Sequence, residues 1–171
     1  MPARLKMAGR LCIAIDPSTT KVGVAFGEIR KPFKPKHLKY SAPVALDRTD
    51  DFVQRTAALV EVVEGLRKFH LGPGSLCVIE MPQVWASPKG IRAATSGALE
   101  KLFFAVGALW TWGRHAGLET HLVPVSQWKG QLPKQLICDR LRAQGFDVPN
   151  TSGKDESDAV GLLAWFANKN G

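Results

Sequence analysis

Two acidic residues of this chain stand where a purely structural role is costly. Asp16 directly follows the apolar run 11–15, and Glu80 directly follows the apolar run 76–79. Each run predicts a buried strand, and a carboxylate at the tip of such a strand is unfavourable unless a partner offsets its charge. A metal ion would be such a partner. The alternatives are turn hydrogen bonds from Ser18 or Thr19 to Asp16, and simple solvation of Glu80 at a strand end.

A second acidic pair opens the last apolar segment of the chain. Asp155 and Asp158 precede residues 159–166, which are predicted to form a helix, and their spacing of three puts both carboxylates on one helix face while Glu156 points elsewhere. Ordinary pairing with the helix dipole is the alternative. Small residues at 159 and 161 would let this helix lie close to a sheet.

The acidic residues together predict a metal site for phosphodiester chemistry. The candidate ligands are Asp16, Glu80, Asp155 and Asp158. Carboxylate oxygens suit Mg²⁺, or Mn²⁺, and four of them can hold two ions per active site for hydrolysis.

Three motifs resemble the RuvC-type Holliday junction resolvases of the RNase H-like superfamily. They are Ile13-Ala14-Ile15-Asp16-Pro17 with Gly23, Val78-Ile79-Glu80, and Asp155-x-x-Asp158-Ala159. The resemblance implies a single RNase H-like nuclease domain over residues 1–171, an α/β fold with a mixed five-stranded sheet flanked by helices. It also implies a metal-dependent endonuclease that resolves four-way DNA junctions as a homodimer.

Two lysines and one tryptophan extend this resemblance. Resolvases of this type carry basic residues near the scissile phosphate, and Lys129 and Lys134 are the matches here. The stretch between them is shorter than in the bacterial enzymes, which suggests a divergent, phage-type member and leaves their individual roles open between phosphate contacts and solvated loop lysines. Trp85 and Lys89 lie in a predicted loop, where an indole can stack on an unpaired base. Packing of Trp85 on the core is the alternative.

The positive charge of the chain is concentrated near its start. The formal net charge is +8, and the first forty residues hold nine Lys or Arg against two acids. The densest segment, 30–37, contains one aromatic, Phe33, and predicts a contact with the DNA phosphate backbone; solubility alone is the other explanation. The candidate DNA-binding residues are Arg30, Lys31, Lys34, Lys36, Trp85 and Lys89.

Several other functions fit the sequence less well. No apolar run is long enough for a membrane span and no signal peptide is evident, so we expect a cytoplasmic protein. The three cysteines and four histidines lack zinc spacing. A nuclease for structured RNA, as in YqgF-like proteins, remains a second hypothesis. An actin-like ATPase fragment would need a second lobe, and a DNA-binding module with an inactive site would not need all four acids.

The elements that position these residues follow from apolar periodicity. Three strands are expected to form an antiparallel meander, and alternating helices and strands follow. The predicted strands are 11–16, 21–29, 38–46, 76–80 and 119–124. The predicted helices are 50–69, 92–116, 133–145 and 154–168. Asp50 or Thr49 is the predicted cap of the first helix. The Ala- and Gly-rich helix 92–116 is the expected dimer surface.

Overall fold

A computed structural model describes residues 9–18, 21–45, 51–83, 95–130, 132–148 and 154–171, with the backbone alone at 69–70 and 154–155. Its centre is one sheet of five strands in the order β3-β2-β1-β4-β5. The strands are β1 Leu11–Pro17, β2 Lys21–Glu28, β3 Leu38–Ala45, β4 Leu76–Met81 and β5 Glu119–Pro124. The first three pair antiparallel, and β4 and β5 run parallel to β1. The predicted mixed sheet is confirmed.

Helices cover both faces of this sheet. They are α1 Phe52–His70, α2 Ala98–His115, α3 Val125–Trp128, α4 Lys134–Ala143 and α5 Lys154–Asn170. The single turn α3 was not covered by any predicted element. In the described part of the chain, no helix is both long and apolar enough to cross a membrane.

The alternation of side chains along β1 divides the core into two layers. Ile13 and Ile15 pack with residues of α1 and α2, whereas Cys12 and Ala14 pack with residues of α4 and α5. This is the period of two expected for a strand buried on both faces. The small Ala14 belongs to the layer of the core that α5 helps to form.

The N-cap of the first helix lies one residue after Asp50 and two residues after Thr49, the two predicted caps. Asp51 is the N-cap, and its carboxylate accepts hydrogen bonds from the amides of Val53 at 2.8 Å and Gln54 at 3.3 Å. The prediction of Asp50 or Thr49 as the cap was therefore wrong, because both precede the residue whose carboxylate reaches the free amides of the first turn.

Candidate active site

The strand register brings Asp16 and Glu80 to the same edge of the sheet. Ile15 of β1 lies opposite Ile79 of β4 in a parallel pair, so the next residue of each strand emerges at the same level. Both carboxylates are buried, with 6% of Asp16 and 8% of Glu80 exposed. The fold thus places the two strand-end acids next to each other.

Helix α5 supplies a third carboxylate at this edge. Asp158 is fully buried in the first turns of α5. Its Oδ2 lies 3.0 Å from Nζ of Lys129 and 2.9 Å from Nζ of Lys134. Its Oδ1 is buried and has no hydrogen-bond partner among the described residues. Asp155 lies on the same helix one turn earlier, and its side chain lies outside what the structure describes.

The Lys129 ammonium links two of these carboxylates. It lies 3.1 Å from Oε2 of Glu80 and 3.4 Å from Oε1, in addition to its contact with Asp158. Its side chain is only 12% exposed, whereas that of Lys134 is 42% exposed. Lys129 is thus an internal counter-ion of the cluster, and Lys134 reaches the cluster from the surface.

The pKa of Asp16 reflects first its burial and then the charges around it. Burial raises its pKa well above the ordinary value, and the Glu80 carboxylate raises it further; the Lys129 ammonium acts in the opposite direction without reversing the shift. Burial would lower the pKa of Lys129, but the surrounding carboxylates outweigh it and the pKa is raised. The charged form of Asp16 is therefore disfavoured in the absence of a further cation, while the lysine is firmly protonated.

The carboxylates have the chemistry of a divalent-cation site, but they are not arranged as a closed set of metal ligands. Among the side chains that the structure describes, no three His, Cys, Asp or Glu are grouped so as to hold a metal ion. The two ammonium groups stand among the carboxylates instead. The unpartnered Oδ1 of Asp158 and the raised pKa of Asp16 both fit a site that gains stability from an added cation.

Sequence reasoning assigned no role to one residue that touches this cluster. The indole Nε1 of Trp128 donates a hydrogen bond of 2.8 Å to Oε2 of Glu80. The Lys129 ammonium lies 4.8 Å from the centre of the same ring. The sequence feature that points to Trp128 is its position, directly before a candidate active-site lysine and shortly after an apolar strand.

The basic segment lies at the far end of the sheet from the carboxylates. It follows β2, whose last residue Glu28 pairs with Leu11 at the opposite end of β1 from Asp16. Its cationic residues are exposed: they are Arg30, which pairs with Glu28, and Lys31, Lys34 and Lys36. DNA binding by these residues stays a prediction. Trp85 and Lys89 lie outside the described residues.

The aromatic residue of this segment is not available to DNA. Phe33 is 4% exposed and stacks on Phe146, with ring centres 5.7 Å apart. Its backbone amide also donates to Oδ1 of Asn168 at 2.8 Å. Phe33 therefore anchors the segment to the core beside α5, while the cations of the segment face outward.

Solved structures of junction resolvases share this fold. RuvC of T. thermophilus in complex with a Holliday junction substrate has a TM-score of 0.67 and 17% sequence identity, over 92% of this chain and 93% of that chain. Another structure of Thermus thermophilus RuvC has a TM-score of 0.65 and 19% sequence identity, over 92% of this chain and 93% of that chain. The yeast mitochondrial Holliday junction resolvase Ydc2 has a TM-score of 0.59 and 12% sequence identity, over 96% of this chain and 80% of that chain. No protein-family model and no curated protein matches the sequence.

Proposed function

We propose that this protein is a metal-dependent endonuclease that resolves four-way DNA junctions by phosphodiester hydrolysis. The observation that carries the proposal is the convergence of three buried carboxylates, from β1, β4 and α5, with two lysine ammonium groups at one sheet edge. The fold shared with RuvC and Ydc2 supports the same activity. The short spacing between the lysines fits a divergent, phage-type member of this group.

The proposed metal ligands are the three described carboxylates and Asp155. They are Asp16, Glu80, Asp155 and Asp158. Mg²⁺, or Mn²⁺ in its place, would supply an activated water and stabilise the leaving oxygen, with two ions per active site. The carboxylates would hold the cation, and their burial would limit competition from bulk water for their oxygens. The buried Lys129 and the more exposed Lys134 would donate to the phosphoryl oxygens as negative charge builds on them.

The proposed assembly is a homodimer of single-domain protomers. One active site cuts one strand, and resolution needs two symmetric cuts, which a two-fold dimer supplies. Helix α2 offers an apolar surface for it: Phe103, Phe104 and Trp110 are 43%, 52% and 42% exposed. Trp85 and Lys89 are proposed to contact the DNA near the junction centre, and the cations of segment 30–37 to contact an arm.

A cleavage assay in Mg²⁺ tests the activity directly. The substrates are a four-way junction, linear duplex, single-stranded DNA, an RNA–DNA hybrid and a structured RNA. We expect cleavage of the junction at paired positions on opposed strands. Preference for the structured RNA would favour the YqgF-like alternative, and no cleavage of any substrate would reject the nuclease assignment.

Asp16→Asn is expected to abolish cleavage and leave junction binding largely unchanged. The substitution removes a charged ligand at the sheet edge, whereas exposed cations elsewhere supply the attraction to phosphates. We expect the cleavage rate to fall by roughly a thousandfold or more, about 4 kcal/mol in activation free energy. Gel-shift binding in EDTA and single-turnover cleavage in Mg²⁺ measure the two properties. A variant that still cleaves at the wild-type rate contradicts the role of Asp16.

A further inference from the structure

One indole side chain touches two charged groups of the proposed site. Trp128 is the last residue of α3 and directly precedes Lys129. Its Nε1 donates to Oε2 of Glu80 at 2.8 Å, and Nζ of Lys129 lies 4.8 Å from its ring centre. The same side chain therefore contacts a proposed metal ligand and a proposed phosphate-binding lysine.

The ring of Trp128 occupies a slot that α5 leaves open for it. A Cβ added at Gly161 would lie 2.9 Å from Cζ3 of the indole and 3.2 Å from Cγ2 of Ile137. Glycine in a helix interior lowers helix stability, so this position is used for space. The close approach of α5 at Gly161 is thus to Trp128 and Ile137, rather than to the sheet as the sequence suggested. The slot fixes the ring plane and with it the direction of the N–H bond.

The Glu80 carboxylate needs a fixed orientation because its charged neighbour does not supply one. Lys129 lies 3.1 Å from one Glu80 oxygen and 3.4 Å from the other, so the ammonium attracts both almost equally. A lysine ammonium is also a point charge with three rotatable donors, so it imposes little direction on a carboxylate. The indole N–H is rigid, neutral and held by α5, and it selects one oxygen of the two.

We propose that Trp128 is the positioning residue of the active site. Its N–H holds Oε2 of Glu80 and so orients the carboxylate for a divalent cation, while its ring face keeps the Lys129 ammonium nearby. This inference rests on the proposed function. It predicts that removal of the N–H weakens cation binding without weakening DNA binding, since groups that orient ligands typically change metal affinity about 10–100-fold.

Trp128→Phe tests this role, because it removes the N–H and keeps an aromatic ring in the slot. We expect the Mg²⁺ concentration for half-maximal junction cleavage to rise about tenfold or more. The rate should recover at saturating Mg²⁺. Calorimetric titration of the DNA-free protein with Mn²⁺ should show a weaker affinity of similar size, and junction binding in EDTA should be unchanged.

Trp112→Phe is the matched control. Trp112 also donates its Nε1 to a glutamate, Glu64, at 2.9 Å, on the α1–α2 face of the sheet. This variant removes the same kind of hydrogen bond away from the proposed metal site. We expect the Mg²⁺ dependence of Trp112→Phe to match that of the wild type.

Gly161→Ala provides a second variant that keeps the N–H but displaces the ring. We expect it to raise the Mg²⁺ requirement in the same direction as Trp128→Phe. The positioning role alone is overturned if Trp128→Phe has the wild-type Mg²⁺ dependence. It is also overturned if the cleavage rate of this variant is low at every Mg²⁺ concentration, in proportion to its folded fraction. A wild-type protein that neither binds Mn²⁺ nor cuts junctions overturns the proposed function as well.

Discussion

Asp16 carries a charge that the fold disfavours. It is buried, and its pKa lies well above the ordinary value because of burial and the nearby Glu80 carboxylate. The ammonium groups of Lys129 and Lys134 lower the pKa of Asp16 but do not reverse the shift. A side chain that costs folding free energy in the absence of a cation is a common sign of a functional site.

The pH dependence of stability should reveal this cost. The unfolded chain ionises Asp16 near pH 4, whereas the folded protein keeps it protonated to a higher pH. Between these values the folded state binds more protons, so the free energy of unfolding falls as pH rises through the raised pKa. We expect Asp16→Asn to remove this fall in metal-free protein and to raise Tm at neutral pH by about 2–4 °C per kcal/mol gained.

Thermal unfolding in EDTA from pH 4 to 8 measures this effect. Asp147→Asn serves as control, because Asp147 is exposed on the loop that follows α4. It should leave the wild-type pH profile unchanged. If Asp16→Asn has the same profile as the wild type, or melts lower at neutral pH, the carboxylate is not a source of instability.

At the scale of elements, the segment between β2 and β3 presents fixed cations. Phe33 and its hydrogen bond to Asn168 hold its backbone against α5, and Lys31, Lys34 and Lys36 are exposed around that anchor. A fixed cationic segment gives up less conformational entropy on binding phosphate than a mobile one.

Neutralising this segment should flatten the salt dependence of junction binding. When Arg30, Lys31, Lys34 and Lys36 are changed together to Gln, the slope of log K against log salt should decrease by about 0.9 for every phosphate that is no longer neutralised. Fluorescence anisotropy from 50 to 300 mM NaCl measures the slope. Lys68→Gln, an exposed charge on α1, should leave it unchanged. An unaltered slope in the fourfold variant would show that this segment faces away from DNA.

The sequence predicted the elements well because their signals are local. Apolar runs specified the strands, and the strand-end positions of Asp16 and Glu80 specified a common edge once β1 and β4 paired in parallel. The contact of Trp128 with Glu80 was not predictable, since it joins residues 48 apart in the chain and depends on how α5 packs. The burial of Phe33 was missed for the same reason: its partner, Phe146, comes from a distant helix end.

At the scale of the whole molecule, the exposed aromatic residues of α2 should govern assembly. We expect Phe103→Glu with Trp110→Glu to convert a dimer to a monomer, because two charges placed on this surface oppose its burial. Sedimentation velocity measures the state. The monomer should nick one strand of a junction without the paired second cut.

The control for this variant is Leu136→Glu. Leu136 is 37% exposed on α4, on the other face of the sheet, so the same change there should leave a dimer. The dimer hypothesis fails if the wild type sediments as a monomer both free and on junction DNA. Helix α2 is not the dimer interface if only the Leu136→Glu variant becomes monomeric.

For the proposed junction substrate, the placement of carboxylates and cations at opposite ends of β1 predicts a minimum length of the DNA arm. Leu11 and Asp16 are five residues apart on an extended strand, or about 17 Å. Duplex DNA rises about 3.4 Å per base pair, so a helix touching both regions must continue for at least about five base pairs past the cut. Junctions with shorter arms would still reach the active site but would not reach the cations. Affinity measured against arm length should therefore rise in a step, and the fourfold Gln variant should lack that step.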